Sequence, residues 1–354
     1  MPAIKKAGLQ TVTFSRPVAV VSAACVVGPL EGEGPLSGSF DVVYQDMLNG
    51  ESSWEKTERT MLKEAVQCAL SKANLNCENI DYLLAGDLLN QCISANFAAR
   101  DLGIPMLGLY GACSTMAESS GLGAVLIDGG YATYVVAAVS SHYGTSERQY
   151  RFPTEYGGQR PPYSQYTVTG AGALLLGVGS SFQGMLPRVT HLTVGKVTDL
   201  GRKDPFDMGS AMAPAAADTV LRHFADLALT PDHYDLVLTG DLALVGHSLV
   251  EELLLQGGLV LGERLQDCGL LVFDRSRQNV FAGGSGCGCS AVVLCGHMME
   301  MFKQAKLKRL LLVGTGALLS PTTFQQGESI PCIAHAVALE LCDDRFMEQE
   351  AREQ

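Results

Sequence analysis

Cys113 is the residue of this sequence best placed to do chemistry. It stands in Gly111-Ala112-Cys113-Ser114, after a short apolar segment and at the head of a run rich in Ala and Gly that reads as a helix. A thiol at a helix N-terminus feels unpaired backbone N–H groups and the positive end of the helix dipole, both of which favour the thiolate. The same amides can hold an oxyanion or a carboxylate. Cys113 is therefore a candidate nucleophile, or the centre of a ligand site. The other cysteines mostly sit inside apolar runs, as Cys68, Cys92 and Cys295 do, and read as buried small hydrophobes.

Three further segments supply polar groups to the same region. Residues 140–160 read as a loop after a buried strand, dense in polar and aromatic side chains. Loops at the C-terminal ends of strands are where function concentrates. Ser141, His142, Arg148 and Arg151 are its candidate ligand groups, with arginine offering a two-pronged fork to a carboxylate. Asp87, Asn90 and Gln91 follow another strand and are candidates beside it, an ordinary turn and helix cap being the alternative. Gly283–Ser290 carries Ser285 as a candidate, and its glycine density brings the backbone close to a ligand or to another part of the chain. A lone Cys287-x-Cys289 is a weak metal signal, and no Gly-Lys-Ser/Thr follows to make a phosphate loop. No metal or cofactor is expected. His335 reads as a core histidine and His247 as a surface one.

The elements that would position these groups follow from periodicity. Strands are expected over 17–27, 81–87, 106–110 and 131–140. Helices are expected over 54–72, 96–102 and 114–129, with 28–40 a loop rich in Gly and Pro. The order then returns. Leu83-Leu84-Ala85-Gly86-Asp87 resembles Val237-Leu238-Thr239-Gly240-Asp241, and Cys113-Ser114 is echoed by Cys289-Ser290, each pair opening an apolar helix that leads to a buried strand. A duplication with an insertion accounts for both recurrences. The expected architecture is α/β: two duplicated βαβαβ halves, residues 1–185 and 186–354, packed through their central apolar helices.

Composition narrows the function classes. The 354 residues are 47% hydrophobic and 18% charged, with 39 glycines and a formal net charge of −12. A nucleic-acid binder would carry a basic patch, so nucleic acid is not an expected partner. No signal-peptide pattern opens the chain, and no run approaches the ~18 apolar residues of a membrane span. The scattered cysteines fit a reducing, intracellular compartment.

These motifs carry a resemblance. Gly111-Ala112-Cys113-Ser114, Thr169-Gly170-Ala171-Gly172 and Gly314-Thr315-Gly316-Ala317 resemble the nucleophile turn, the Gly-rich strand and the C-terminal glycine turn of the thiolase superfamily. Longer blocks, among them Leu84–Gln91, Phe152–Gln159, Asp207–Thr219 and Phe281–Cys287, are similar to the stage V sporulation protein AD family of endospore-forming bacteria. The resemblance implies a five-layered thiolase-like fold and a binding role without catalysis. The ligand would be dipicolinic acid (pyridine-2,6-dicarboxylate), alone or with calcium, moved into the developing spore together with membrane-embedded stage V A proteins. It further implies a homodimer, located in the forespore and peripheral to the inner spore membrane. Condensing thiolases place a histidine after the strand equivalent to 236–240, often with a nearby asparagine. Here that stretch reads Asp241-Leu242-Ala243-Leu244-Val245-Gly246-His247, with no His-x-x-Asn. Acyl transfer on Cys113 is the competing reading.

Overall fold

The computed structural model describes residues 5–150, 160–182 and 185–342. The chain opens with the long strand β1 (Thr11–Val27), the short helix α1 (Pro29–Gly32), β2 (Val42–Val43), α2 (Trp54–Lys72), β3 (Tyr82–Gly86) and α3 (Ile93–Leu102). It continues through β4 (Met106–Gly108), α4 (Thr115–Asp128), β5 (Tyr134–Ser141), α5 (Tyr143–Tyr150), β6 (Tyr166–Thr167) and β7 (Gly170–Val178). Then come β8 (Leu186–Thr193), α6 (Met208–Asp226), β9 (Leu236–Thr239), α7 (Ala243–Gln256), β10 (Leu265–Asp267), α8 (Cys268–Leu271), β11 (Gly284–Ser285) and α9 (Cys287–Val292). A widened helical turn over Val293–Met298 leads to α10 (Met299–Lys303), β12 (Arg309–Ala317), α11 (Pro321–Gln325) and β13 (Cys332–Cys342).

The strands run in the order β10-β9-β12-β13-β8-β1-β7-β5-β3-β4. Read from either edge the sequence of roles is the same. A parallel trio (β4, β3, β5 or β10, β9, β12) adjoins an antiparallel pair (β7, β1 or β13, β8). β1 joins the two sets, pairing first with β8 and then with β7 across an irregular register between Thr13 and Val18. The βαβαβ expectation captures only the parallel trios. The antiparallel strands pair segments far apart in the chain, so no local spacing announces them.

Period-2 alternation along the strands sorts their side chains into layers. Leu83, Ala85, Val136, Ala138 and Leu175 face outward onto α2 and α3. Val237, Leu311, Val313, Ala336 and Ala338 face outward onto α6 and α7. The intervening residues (Leu84, Ala137, Leu174, Leu238, Leu312, Val337) turn inward from both sets and enclose α4 and α9 in one continuous core. The result is helix, sheet, helix, sheet, helix: the five-layered thiolase-like arrangement.

The helices form where the sequence signals are strongest. Ser53 caps α2 by accepting from Lys56 N at 3.4 Å, and Met61, Leu62, Ala65, Val66, Ala69 and Leu70 bury one face of it. α4 buries most of its circumference, leaving a stripe through Leu122 and Val125 exposed, and Ser119 and Ser120 return their hydroxyls to the Met116 carbonyl at 3.2 and 2.7 Å, which satisfies them inside an apolar layer. Two expectations need correction. Residues 140–160 are not wholly loop: Tyr143–Tyr150 is helical, because its residues close a hydrogen-bonded turn directly off β5, Ser146 N donating to the His142 carbonyl. The 28–40 loop holds the turn α1.

Glycine decides how closely α9 lies on the sheet. A Cβ on Gly172 would stand 2.7 Å from the Ala291 carbonyl oxygen, and one on Gly288 would stand 2.6 Å from that of Gly170. Both are backbone atoms that cannot swing aside. Gly172→Ala is expected to lower stability by about 1–3 kcal/mol through overpacking, whereas Gly38→Ala, with open space around it, should leave it unchanged. Urea denaturation midpoints of the two variants check this.

Candidate functional site

The chain leaves β4 through Gly111 and Ala112, whose φ of 51° is left-handed and costly for a residue with a Cβ. The turn is held by Ser114 Oγ donating to the Gly111 carbonyl at 2.6 Å and Thr115 Oγ1 donating to that of Ala112 at 2.7 Å. Cys113 is thereby presented at the head of α4. The end of β12 closes on this turn from the other side of the molecule, and a Cβ on Gly316 would stand 2.5 Å from the Gly111 oxygen. Cys287, opening α9, donates its thiol to the Ala112 carbonyl at 3.0 Å.

Behind Cys113 lies Asp241, fully buried after β9. Its carboxylate accepts from Thr315 Oγ1 at 2.7 Å, Ser285 Oγ at 3.1 Å and Gly286 N at 3.0 Å, and also receives the Cys113 thiol. The Asp241 main-chain carbonyl accepts from Gln165 Nε2 at 2.6 Å. Burial raises the Asp241 pKa against the pull of these donors. The Cys113 pKa is raised well above that of a free thiol, first by its hydrogen bond to Cys287, then by burial, then by the Asp241 charge. The helix N-terminus that should favour a thiolate is thus outweighed. Cys113 therefore rests on the thiol side of its equilibrium.

A cavity of about 420 Å³ opens in front of this cluster, within the roughly 300–1,000 Å³ range of small-molecule sites. Cys113, Ser285 and Thr167 line its inner end, the last two side by side because β6 and β11 pair at that register. Met208 and Met212, one turn apart at the start of α6, make an apolar wall, and residues 317–321 complete it. On the opposite side stand Tyr110, Tyr150, Asn90 and Ser146. The two phenols are 3.2 Å apart, and Tyr150 donates to the Leu88 carbonyl. The Ser146 hydroxyl is buried with no hydrogen-bond partner among the described residues. Below α5, Arg160 is itself buried. It pairs with Glu147 at 2.5 Å, donates to the Gln165 carbonyl at 3.1 Å and lies over the Tyr143 ring, which fixes α5 against β6.

Of the sequence candidates, the fold brings Cys113, Asn90 and Ser285 to the cavity. It does not bring the others there. Asp87 is fully buried and caps the following turn and helix, accepting from Leu89 N and Ala95 N at 2.8 Å each. Gln91 is exposed and outside the lining, its carbonyl held by Asn96. Ser141 bridges β5 to α9, donating to the Val168 carbonyl and accepting from Gly288 N. His142 is buried with both ring nitrogens used: Gly144 N donates to Nδ1 at 3.0 Å, so Nε2 carries the proton and meets the Met47 carbonyl at 2.9 Å. Its ring stacks on Trp54, and burial lowers its pKa. Arg148 pairs with Glu55 at 2.8 Å and lies over Trp54, half exposed. Arg151 lies outside the described residues. His335 is a core histidine, as expected, while His247 is half-buried with Nε2 near the Leu265 carbonyl.

Sequence reasoning missed Asp241, Cys287, Tyr110, Tyr150, Ser146 and the methionine pair as parts of one site. Asp241 carried a signal, since it stands in the repeated Gly-Asp mark and where a catalytic histidine would be sought. Met208 and Met212 carried another, a spacing of four at the head of a helix.

Comparison with known proteins was made on this footing. The family model described as stage V sporulation protein AD matches residues 8–340. The stage V sporulation protein AD of Bacillus subtilis (strain 168) is 52% identical over 337 residues, covering 95% of this chain and 98% of that protein. Among solved structures, OleA of Xanthomonas campestris superposes with a TM-score of 0.58 at 14% identity, covering 92% of this chain and 99% of that one. The 3-oxoacyl-[acyl-carrier-protein] synthase III of Aquifex aeolicus VF5 gives 0.56 at 14% identity, covering 91% and 99%. At such identities the likeness is one of fold.

Removing the carboxylate should loosen Cys113. In Asp241→Asn the iodoacetamide alkylation profile of Cys113 is expected to move to lower pH, because the charge that favours the protonated thiol is gone. Peptide mass spectrometry across a pH series checks this, and an unmoved profile would show that Asp241 does not govern the thiol.

Proposed function

The chain belongs to the stage V sporulation protein AD family, and on that premise we propose that its cavity binds dipicolinic acid without turning it over. The cavity lining carries this reading: the Thr167 hydroxyl and the Asn90 amide border it beside two tyrosines, and such polar groups are completed by the oxygens of a ligand. Pyridine-2,6-dicarboxylate is flat and bears four carboxylate oxygens. The Tyr110 and Tyr150 rings offer it an aromatic wall, and Thr167 and the Asn90 amide offer donors. The described lining residues include no arginine, lysine or histidine, so hydroxyls and amides would meet the carboxylates, and a calcium ion travelling with the ligand would relieve its charge against Asp241.

Catalysis is disfavoured by the same geometry. A nucleophilic cysteine needs a base to take its proton, and the group beside Cys113 is a carboxylate that holds the proton on sulfur. Acyl transfer remains the competing reading because solved neighbours include a 3-oxoacyl synthase. It predicts a thioester on Cys113 after incubation with acyl coenzyme A, which intact-protein mass spectrometry would detect.

In the spore the protein would act in dipicolinate uptake with membrane-embedded stage V A proteins, peripheral to the inner membrane of the forespore. Among the described residues no helix is long and apolar enough to cross a membrane. We infer a homodimer through β4, whose outer edge has no partner strand among the described residues and whose Leu107 is 48% exposed. Leu107→Lys should halve the mass read by light scattering.

Calorimetric titration with dipicolinate, with and without calcium, tests the proposal. The expected result is a micromolar-scale constant (roughly −8 kcal/mol) that weakens in Thr167→Val and Tyr150→Phe. No heat and no thermal shift in either condition would overturn it.

A further inference from the structure

Two thiols meet at the inner end of the cavity, one from each half of the molecule. Cys113 lines the cavity wall, while Cys287 is fully buried directly behind it. The Cys287 sulfur sits 3.0 Å from the carbonyl oxygen of Ala112, the residue bonded to Cys113, which brings the two thiols close enough to influence one another. Their backbones are fixed independently. Cys113 follows the left-handed turn at Ala112, and Cys287 stands between Gly286, whose N–H is held by Asp241, and Gly288, whose N–H is held by Ser141. The contact is therefore built into the fold.

We propose that Cys113 and Cys287 are a redox site of the cavity, joined by a disulfide when a small-molecule disulfide enters, and that the joined form has lost affinity for the ligand. The loss of affinity rests on the cavity being the ligand site; the disulfide itself does not.

Exposure sets the order of the chemistry. Only Cys113 meets the cavity, so it loses its proton and attacks the incoming disulfide RSSR, forming Cys113–S–S–R and expelling RS⁻, which takes up that proton. Cys287 then loses its proton and attacks the Cys113 sulfur. The protein disulfide forms and the second RS⁻ leaves with the second proton. Two cysteines are oxidised and one RSSR is reduced to two RSH. Burial and the Asp241, Asp87 and Glu58 charges keep both thiols protonated at rest, so the pair resists casual oxidation. Closing the bond removes the thiol donor to Asp241 and redraws the cavity wall. The neighbouring Cys92 is turned away, its thiol donating to the Leu109 carbonyl at 3.2 Å.

The test uses the full-length protein incubated with excess oxidised glutathione, then alkylated, digested and read by mass spectrometry, with the dipicolinate titration repeated before and after treatment. The expected result is a cross-linked peptide pair holding Cys113 and Cys287, and a dipicolinate affinity weakened by about tenfold or more and restored by dithiothreitol. Cys287→Ala and Cys287→Ser should each leave Cys113 as a glutathione adduct instead. Free Cys113 and Cys287 under conditions that modify the half-buried Cys68 and Cys77 would overturn the pairing, as would a cross-link to Cys92. A cross-linked protein that binds dipicolinate unchanged would overturn the control of affinity. Reduced protein that fails to bind dipicolinate counts against the ligand alone, since the cross-link is read separately.

Discussion

A carboxylate buried away from water is stable only where donors replace the water it has lost. Asp241 meets that condition with groups drawn from separate parts of the chain: Thr315 at the end of β12, Ser285 and Gly286 ahead of α9, and Cys113 ahead of α4. None of these reaches Asp241 unless the two sheets close on the central helices. The carboxylate thus acts as a registration point. Its satisfaction requires the glycine contacts that seat α9 on β7 and β12 against the Cys113 turn.

That requirement also explains the character of the site. The turn at Cys113 has what a nucleophile needs in local geometry: a strained residue before it and a helix after it. The outcome is nevertheless a protonated thiol, because the other half contributes a carboxylate and a second thiol where an activating imidazole would be needed. The local geometry of this turn and its electrostatic surroundings therefore pull the thiol in opposite directions.

Much of the fold was legible in the sequence because its signals are local. α2 spans the residues that its apolar periodicity suggests, and the Cys113 turn stands at the head of α4. The pairing of β1 with β8 and β7 was not legible, since it joins residues about 160 positions apart by backbone bonds alone. The site divided in the same way. Cys113, Asn90 and Ser285 could be found by looking just beyond strands. Asp87 and Ser141 share that position and the opposite fate, because their oxygens are claimed by nearby main-chain groups. His142 and Arg148 look like anion ligands by type, but both pack toward the start of α2, His142 stacked on Trp54 and Arg148 paired with Glu55. Which side of a short helix faces a cavity is decided by packing from elsewhere.

The mirrored strand order has a consequence for assembly. A sheet whose order reads alike from both ends still has two edges, β4 and β10, and they are chemically unequal. A self-complementary contact at one edge uses that edge in both copies and leaves only the other kind exposed. Growth along the sheet then stops at two chains, unless β10 can also pair. β4 and β10 are both three-residue strands, but β10 has Gln266 exposed at its centre where β4 has Leu107, so β10 is the more polar edge. A mirrored strand order thus need not give equivalent edges: like roles in the sheet end in an apolar residue at one margin and a polar one at the other.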